Sequence, residues 1–548
     1  MAAFSSNSSP DMQRAMRAVS DATRVGDMAT ACRIGGEAVS RGLENEQLLT
    51  LAAYARINAG DDTKALEFAQ RARTLAPRSV DVLTALGLCL SRNRQFREAV
   101  EVYDAALKIS PRVTQLRFNK ACALEEMSEV GRAAREFERV LDAEPRNAEA
   151  LAHLANLAAQ RGDVKAARDF ATRALQSDPR QSAAVLALAG ADIEEKKFED
   201  ALTRLKPLVA GSGGSMINRS IAHGLAGDAL DGLNRYDEAF AAYTASKSTL
   251  QALYQPLYEK PGTETARARV GRLQKFFDAA PAEMWKARKT NAPHGPAKTH
   301  VFLVGFPRSG TTLLEQILAG HPDVTSMEER DCLIDSQNEF LATPDGLERL
   351  QNMHGDELDA ARAAYWQRVD EANATPSTPV FVDKMPLNTV LLCLVAKLFP
   401  QAKVLFALRD PRDVALSCFR RRFGMNPQMY ELITLKGAAQ YYDVVMRLAD
   451  TYRQKLGLDI HDLRYEAMVA DLETEMRATC DFLGLPWNDA MHDFAERAKA
   501  RSIDTPSAAQ VARGLYTQGS GQWMHYAAQL APVLPLLAAW LSYYGYSE

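Results

Sequence analysis

The 548-residue sequence predicts an all-α repeat array followed by an α/β domain built on a parallel sheet. Small residues and prolines recur every 34 positions through the first half. The second half holds apolar runs that break into glycine- or proline-marked turns ahead of helix-forming segments. Length agrees, because a chain of this size exceeds what one hydrophobic core supports. The expected limits are a repeat array over residues 1–250, a helical linker over 251–298 and the α/β domain over 299–548.

In the array, Pro77, Pro111, Pro145 and Pro179 are 34 residues apart. Ala53, Gly87, Ala121, Ala155 and Ala189 keep that period, and so do Ala31, Ala65, Ala99, Ala133, Ala167 and Ala201. Small residues let paired helices approach closely, and each proline opens a new pair after a turn, so three registers with one period specify stacked helix pairs. The series resumes after four inserted residues, at Gly227 and Ala239. This pattern resembles the tetratricopeptide repeat. About six to seven repeats ending near residue 250 would form a superhelical groove.

Residues 251–290 read as helical linker, and the polar, proline-containing stretch 291–298 breaks the chain before the first strand. Residues 301–305 have the pattern of a buried strand, followed by the loop Phe306-Pro307-Arg308-Ser309-Gly310 and a helix from Thr311. A glycine-closed loop entering a helix N-terminus grips a phosphate, with hydroxyls from Ser309, Thr311 and Thr312 and charge from Arg308. Gly305 and Gly310 keep the spacing of a nucleoside triphosphatase loop, but Thr311 stands where that loop carries lysine. A γ-phosphate would lack its cation, which disfavours a P-loop kinase.

Residues 380–386 are again strand then turn, with Lys384 at the junction. Residues 403–408 form a further apolar run, and Asp410-Pro411 makes a turn with proline suited to a first helical position. Arg409 thereby marks a second strand-to-helix anion site. Two such sites in one α/β domain suit a donor with phosphates at both ends of its ribose better than they suit ATP.

The string Gly305-Phe306-Pro307-Arg308-Ser309-Gly310-Thr311-Thr312 resembles the 5′-phosphosulfate loop of sulfotransferases that use 3′-phosphoadenosine 5′-phosphosulfate, and residues 403–419 resemble their 3′-phosphate element. The resemblance implies a P-loop-type α/β sulfotransferase domain in which Arg308, Ser309, Gly310, Thr311 and Thr312 hold the donor's 5′ side, and Arg409 and Ser417 its 3′-phosphate. In the branch that sulfates protein tyrosines, a similar His-Pro segment leads to a Glu-Glu pair, which implies Glu329 as general base beside Glu328. The family's lysine at the donor's bridging oxygen corresponds to Lys384, a general acid sharing transition-state stabilisation with Arg308. His321 is the rival base, although its His-Pro turn after Gly320 favours a packing role. Residues 462–487 resemble the family's Arg-Tyr-Glu segment, with Tyr465 at the adenine. Residues 505–523 resemble a closing loop that returns Ser507 and Arg513 to the 3′-phosphate, with departures at Gly514 and Gln522.

The implied function is transfer of a sulfuryl group from 3′-phosphoadenosine 5′-phosphosulfate to a hydroxyl, a polypeptide tyrosine being one candidate, with the 3′,5′-bisphosphate as product. In-line positioning and cationic side chains suffice for such a group, so no metal is expected. The alternatives are that kinase and an interaction scaffold with a degenerate nucleotide-binding domain, the latter resting on Gly514 and Gln522. The groove implies a polypeptide or another extended acceptor, and such arrays also serve as homodimer platforms. A chain starting near residue 260 is then expected to keep donor binding and lose transfer to its native acceptor. A net charge of −4 argues against a general nucleic-acid binder. Seven scattered cysteines suggest reduced core thiols. Residues 1–10 lack the apolar core of a signal peptide, and His525, Gln529, Pro532 and Pro535 interrupt the apolar end, so a cytoplasmic protein without a membrane span is expected.

Overall fold

A computed structural model describes residues 9–127, 129–211, 213–286, 295–343, 345–500, 514 and 519–547. The chain divides into two compact units, residues 1–158 with 165–187, and residues 159–164 with 188–548.

The repeat period becomes a period of helices. Met28–Ser40, Asp62–Leu75, Phe96–Ile109, Val130–Ala143, Val164–Ser177 and Phe198–Val209 each begin 34 residues after the last. The helices that alternate with them, Glu46–Asn58, Val80–Arg92, Thr114–Glu126, Ala148–Gln160, Ser182–Glu194 and Met216–Gly232, do the same. The small positions are where helices touch: a Cβ on Gly87 would lie 2.4 Å from the Tyr103 ring, and one on Gly227 would lie 2.5 Å from Tyr243. Paired helices turn at residues of positive φ, which fall at Gly26, Gly60, Arg94, Gly162, Lys196 and Asn234. The four inserted residues lie within Met216–Gly232, which has 17 residues where its predecessor has 13. Four residues are about one helical turn, so the inward face is preserved.

The second unit contains a five-stranded, all-parallel sheet of β1 (Thr299–Gly305), β2 (Val324–Glu328), β3 (Val380–Lys384), β4 (Lys403–Leu408) and β5 (Asp459–Arg464). Their spatial order is β2-β3-β1-β4-β5. Alternate side chains of β1 serve two cores. Phe302 and Val304 pack with the helix Leu435–Lys455, while Val301 and Leu303 pack with the helices Thr311–Leu318 and Leu472–Leu483. Burial on both faces explains the uninterrupted apolar run in sequence.

The expected domain limit at 250 falls inside the helix Tyr236–Tyr258. Compactness instead groups the last repeat helices with the sheet. Polar contacts explain this grouping: Arg420 pairs with Asp231 at 2.7 Å, Tyr526 donates its hydroxyl to the same carboxylate, and the buried Lys247 ammonium donates to the Arg421 carbonyl. The stretch Gln522–Tyr543 is long and apolar enough to cross a membrane by composition, with a mean hydropathy of 1.2. It is broken into short helical pieces, and Tyr526, Leu530 and Leu537 are fully buried against the core. All seven cysteines are free, and all but the half-buried Cys122 are buried.

Candidate active site

Each strand delivers one sequence-chosen residue at its C-terminal end: Arg308 follows β1, Glu329 follows β2, Lys384 closes β3, Arg409 follows β4 and Tyr465 follows β5. Register makes neighbours of them, since Lys384 stands opposite both Glu328 and Leu303 while Leu408 stands opposite Arg464. Open α/β sheets bind ligands at this edge.

The loop after β1 is shaped by contacts that exclude side chains. Gly305 has φ 152° and a Cβ there would meet the Ala407 carbonyl oxygen at 2.6 Å, while Gly310 has φ 96° and a Cβ there would meet the Tyr465 ring at 2.8 Å. Gly310 caps the helix Thr311–Leu318, and Ser309, Thr311 and Thr312 are buried beside it. The first amides of such a helix have no intrahelical acceptor and favour an anion. Arg308 and Glu329 also hold positive φ, at 72° and 30°. Non-glycine residues adopt that region at a cost, and such strain gathers at functional sites.

At one end of the site the fully buried Lys384 Nζ lies 2.8 Å from Glu329 Oε1 and 3.7 Å from Glu328 Oε1. The Glu329 amide donates to the Lys384 carbonyl at 2.9 Å, which fixes the glutamate to the strand end. Glu329, Arg308, Thr311 and Thr312 line a cavity of about 200 Å3 whose other walls include Met385, Leu387, Phe423 and Met429. Ala266, Arg269 and Val270 of the helix Ala266–Ala279 also line it, so the segment read as linker is part of a pocket wall. Beneath Lys384, the Tyr365 hydroxyl donates to Asp383 at 2.8 Å and accepts from His300 Nε2 at 2.9 Å. Burial raises the Asp383 pKa to about 7, against the lowering effect of Tyr365, and burial drops that of His300 to about 3. His321 is spent on structure: Nδ1 accepts from the Asp323 amide at 3.1 Å and Nε2 donates to the Pro486 carbonyl at 2.9 Å.

A second cavity, of about 380 Å3, gathers Arg308, Arg409, Ser417, Arg421 and Tyr465. Arg308 Nε donates to Ser417 Oγ at 3.0 Å. Arg308 therefore faces both cavities. Arg409 donates through Nη1 to the Arg308 carbonyl at 2.9 Å and through Nη2 to the Gly519 carbonyl, with its guanidinium 4.8 Å above the Tyr465 ring. Its Nε is buried without a hydrogen-bond partner among the described residues. Burial, with the charges of Arg421 and Arg409 nearby, lowers the Arg308 pKa to about 9. An anion in the cavity would relieve this crowding, so the residues fit a phosphorylated ligand.

Arg412 is turned away: it binds Asp410 through Nε at 3.0 Å and Nη2 at 2.8 Å, and its guanidinium lies 3.7 Å from the Trp523 ring centre. Arg420 and Arg421, which sequence reasoning missed, line the second cavity instead, and their only signal was a run of three arginines at a helix end. Ser507 and Arg513 lie outside the described residues. The segment after them is held by Asp413, which accepts from the amides of Gly521 at 2.7 Å and Trp523 at 2.9 Å. Gln522 accepts from Arg420 at 3.3 Å.

Comparison with known proteins gives a domain-level match. Residues 300–489 match the sulfotransferase family, and residues 50–114, 118–182 and 158–212 match tetratricopeptide repeats. An uncharacterized protein of Aquifex aeolicus (strain VF5) is 28% identical over 44% of this chain and 32% of its own length. The protein-tyrosine sulfotransferase of Drosophila melanogaster is 28% identical over 35% of this chain and 39% of its own. Protein-tyrosine sulfotransferase 1 of Danio rerio is 27% identical over 43% and 70%. The chain thus spans about a third of the length of the first two of these relatives. Among solved structures, the sulfotransferase domain of the Synechococcus PCC 7002 olefin synthase is 24% identical, covering 43% of this chain and 91% of that one with a TM-score of 0.31. A tetratricopeptide repeat protein of Parabacteroides merdae ATCC 43184 is 15% identical over 44% and 94%, with a TM-score of 0.36.

Proposed function

We propose that this chain, a sulfotransferase-family domain carried behind tetratricopeptide repeats, moves a sulfuryl group from 3′-phosphoadenosine 5′-phosphosulfate to the hydroxyl of a polypeptide tyrosine or a similar phenol. The observation that carries the reading is the pair of cavities meeting at Arg308, one rich in guanidinium groups and one largely apolar with Glu329 on its wall. In this reading Arg409, Ser417 and Tyr465 hold the nucleotide by its 3′-phosphate and base. The loop from Arg308 to Thr312 holds the 5′ side.

Glu329 takes the proton of the acceptor hydroxyl as its oxygen bonds to sulfur, and the bond from sulfur to the donor's bridging oxygen breaks. Lys384 meets the charge on that departing oxygen, and the 3′,5′-bisphosphate leaves. The ion pair of Glu329 and Lys384 supports these roles, because base and acid are held together at 2.8 Å until acceptor and donor separate them. The roles need no metal, since Arg308 and Lys384 supply the charge. The apolar cavity walls suit an aromatic ring, and the repeats suit an extended polypeptide. A cytoplasmic location is proposed with the same reading.

Calorimetry with the phosphosulfate donor, adenosine 3′,5′-bisphosphate and ATP tests it. Tight binding of only the first two is expected, and preference for ATP would select a kinase instead.

A further inference from the structure

The guanidinium-rich cavity has a wall that the sheet and its helices do not supply. Phe198, Asp231, Gly232, Asn234 and Tyr236 line it, and all five lie on the last repeat helices or the turn between them. They belong to the same compact unit as the sheet.

This wall is braced at every point. Asp231 accepts from Arg420 at 2.7 Å and from the Tyr526 hydroxyl. Asn234, at φ 59°, accepts the Tyr236 hydroxyl at 2.7 Å, and the Tyr236 ring stacks on His525 with centroids 4.5 Å apart. Gly232 lies under Phe198, whose ring a Cβ would meet at 2.4 Å. The charge of the lining favours an anion, with Arg308, Arg409, Arg420 and Arg421 set against two carboxylates, Asp231 and Asp413. Both carboxylates are engaged, Asp231 by Arg420 and Asp413 by the Gly521 and Trp523 amides.

We propose that the last repeat turn, residues 231–236, is part of the donor site: it closes the cavity over the 3′-phosphate, so the repeats are required for nucleotide binding as well as for holding an acceptor. The inference rests on the donor assignment above. Its physical content is that a rigid, neutral Asn234 completes a pocket whose cations would otherwise face bulk water, where a phosphate contact is weaker.

Asn234→Asp tests it. Aspartate tolerates positive φ and still accepts the Tyr236 hydroxyl, but it adds a negative charge to the wall. Titration calorimetry of the full chain with adenosine 3′,5′-bisphosphate should give about tenfold weaker binding for Asn234→Asp at low salt, a gap that narrows as salt rises. Asn234→Gly, which removes the side chain and adds no charge, should also weaken binding, but by a factor that does not change with salt. Equal affinity of Asn234→Asp and wild type overturns the inference and leaves the donor assignment standing. A wild-type chain that does not bind the bisphosphate overturns both.

Discussion

Glu329 and Lys384 are 2.8 Å apart, and each depends on the other: the lysine is fully buried and needs a counter-charge, while the glutamate is 37% exposed and reaches the pocket. Glu329→Gln keeps the shape and removes the base. It is expected to leave bisphosphate affinity within a few fold while cutting single-turnover transfer by roughly a hundredfold or more. Retained transfer in Glu329→Gln would reject the base assignment, and His321 could not replace it with both ring nitrogens bonded. Asp383 gives a second expectation, in pH. Its folded pKa is raised to about 7 by burial, so the folded state keeps a proton that the unfolded chain releases near 3.8. Stability from this group is present at low pH and is lost as pH rises between those values, by roughly 3 kcal/mol from pH 5 to 8. His300, lowered to about 3 by burial, acts in the opposite direction below its ordinary value of 6.5. The readout is therefore the difference between chains: Asp383→Asn should lose less stability than wild type between pH 5 and 8 in urea unfolding.

At the scale of elements, the loop after β1 depends on two close approaches. Gly310→Ala would place a methyl 2.8 Å from the Tyr465 ring at a φ of 96°, so the loop must shift away from the start of its helix. Loss of bisphosphate binding by at least tenfold in calorimetry, with the sheet's circular dichroism unchanged, is the expected outcome, since a phosphate cradle tolerates little displacement. Arg409→Ala is expected to weaken bisphosphate binding by about 1.5–3 kcal/mol, the usual value of a charge-assisted contact. Arg308→Ala should affect both KM for the donor and kcat, because its side chain reaches Ser417 while its cavity face extends to Glu329. A pure kcat effect would show that Arg308 acts on the 5′ side alone. These elements were legible in part. The strands and the loop follow from apolar runs and glycines; the choice of Arg409 over Arg412 came only from the family resemblance, because the two are three positions apart and it is packing against Asp410 and Trp523 that turns the second one away.

For the molecule as a whole, the position of the last repeats changes one expectation drawn from sequence. The sequence by itself predicts that a chain starting near residue 260 keeps donor binding. Removing Asp231, Tyr236 and Lys247 would leave the half-buried Arg420 without its carboxylate and open one wall of the guanidinium-rich cavity. Such a fragment is expected to melt lower and to bind the bisphosphate weakly, because Arg420 loses its half-buried partner and the cavity loses a wall. Thermal unfolding and calorimetry on fragment and full chain check both parts, and unchanged binding would restore the simpler division at 250.

The sequence alone determined the period of 34, carried by Gly87, Ala121 and their equivalents, and with it the helix pairs. It also determined the buried strands, the glycine-closed loop after β1 and the absence of the triphosphatase lysine, because each depends on residues within one or two turns of one another. Tertiary structure alone decided that five strand ends converge, that Arg308 bridges two cavities, that the helix Ala266–Ala279 lines the apolar one, and that Asn234 lines the other. Those facts join side chains such as Arg420 and Asp231, 189 positions apart. No local propensity or periodicity encodes which faces of such distant segments will pack, since that is fixed only when the helices and the sheet bury their apolar surfaces against one another.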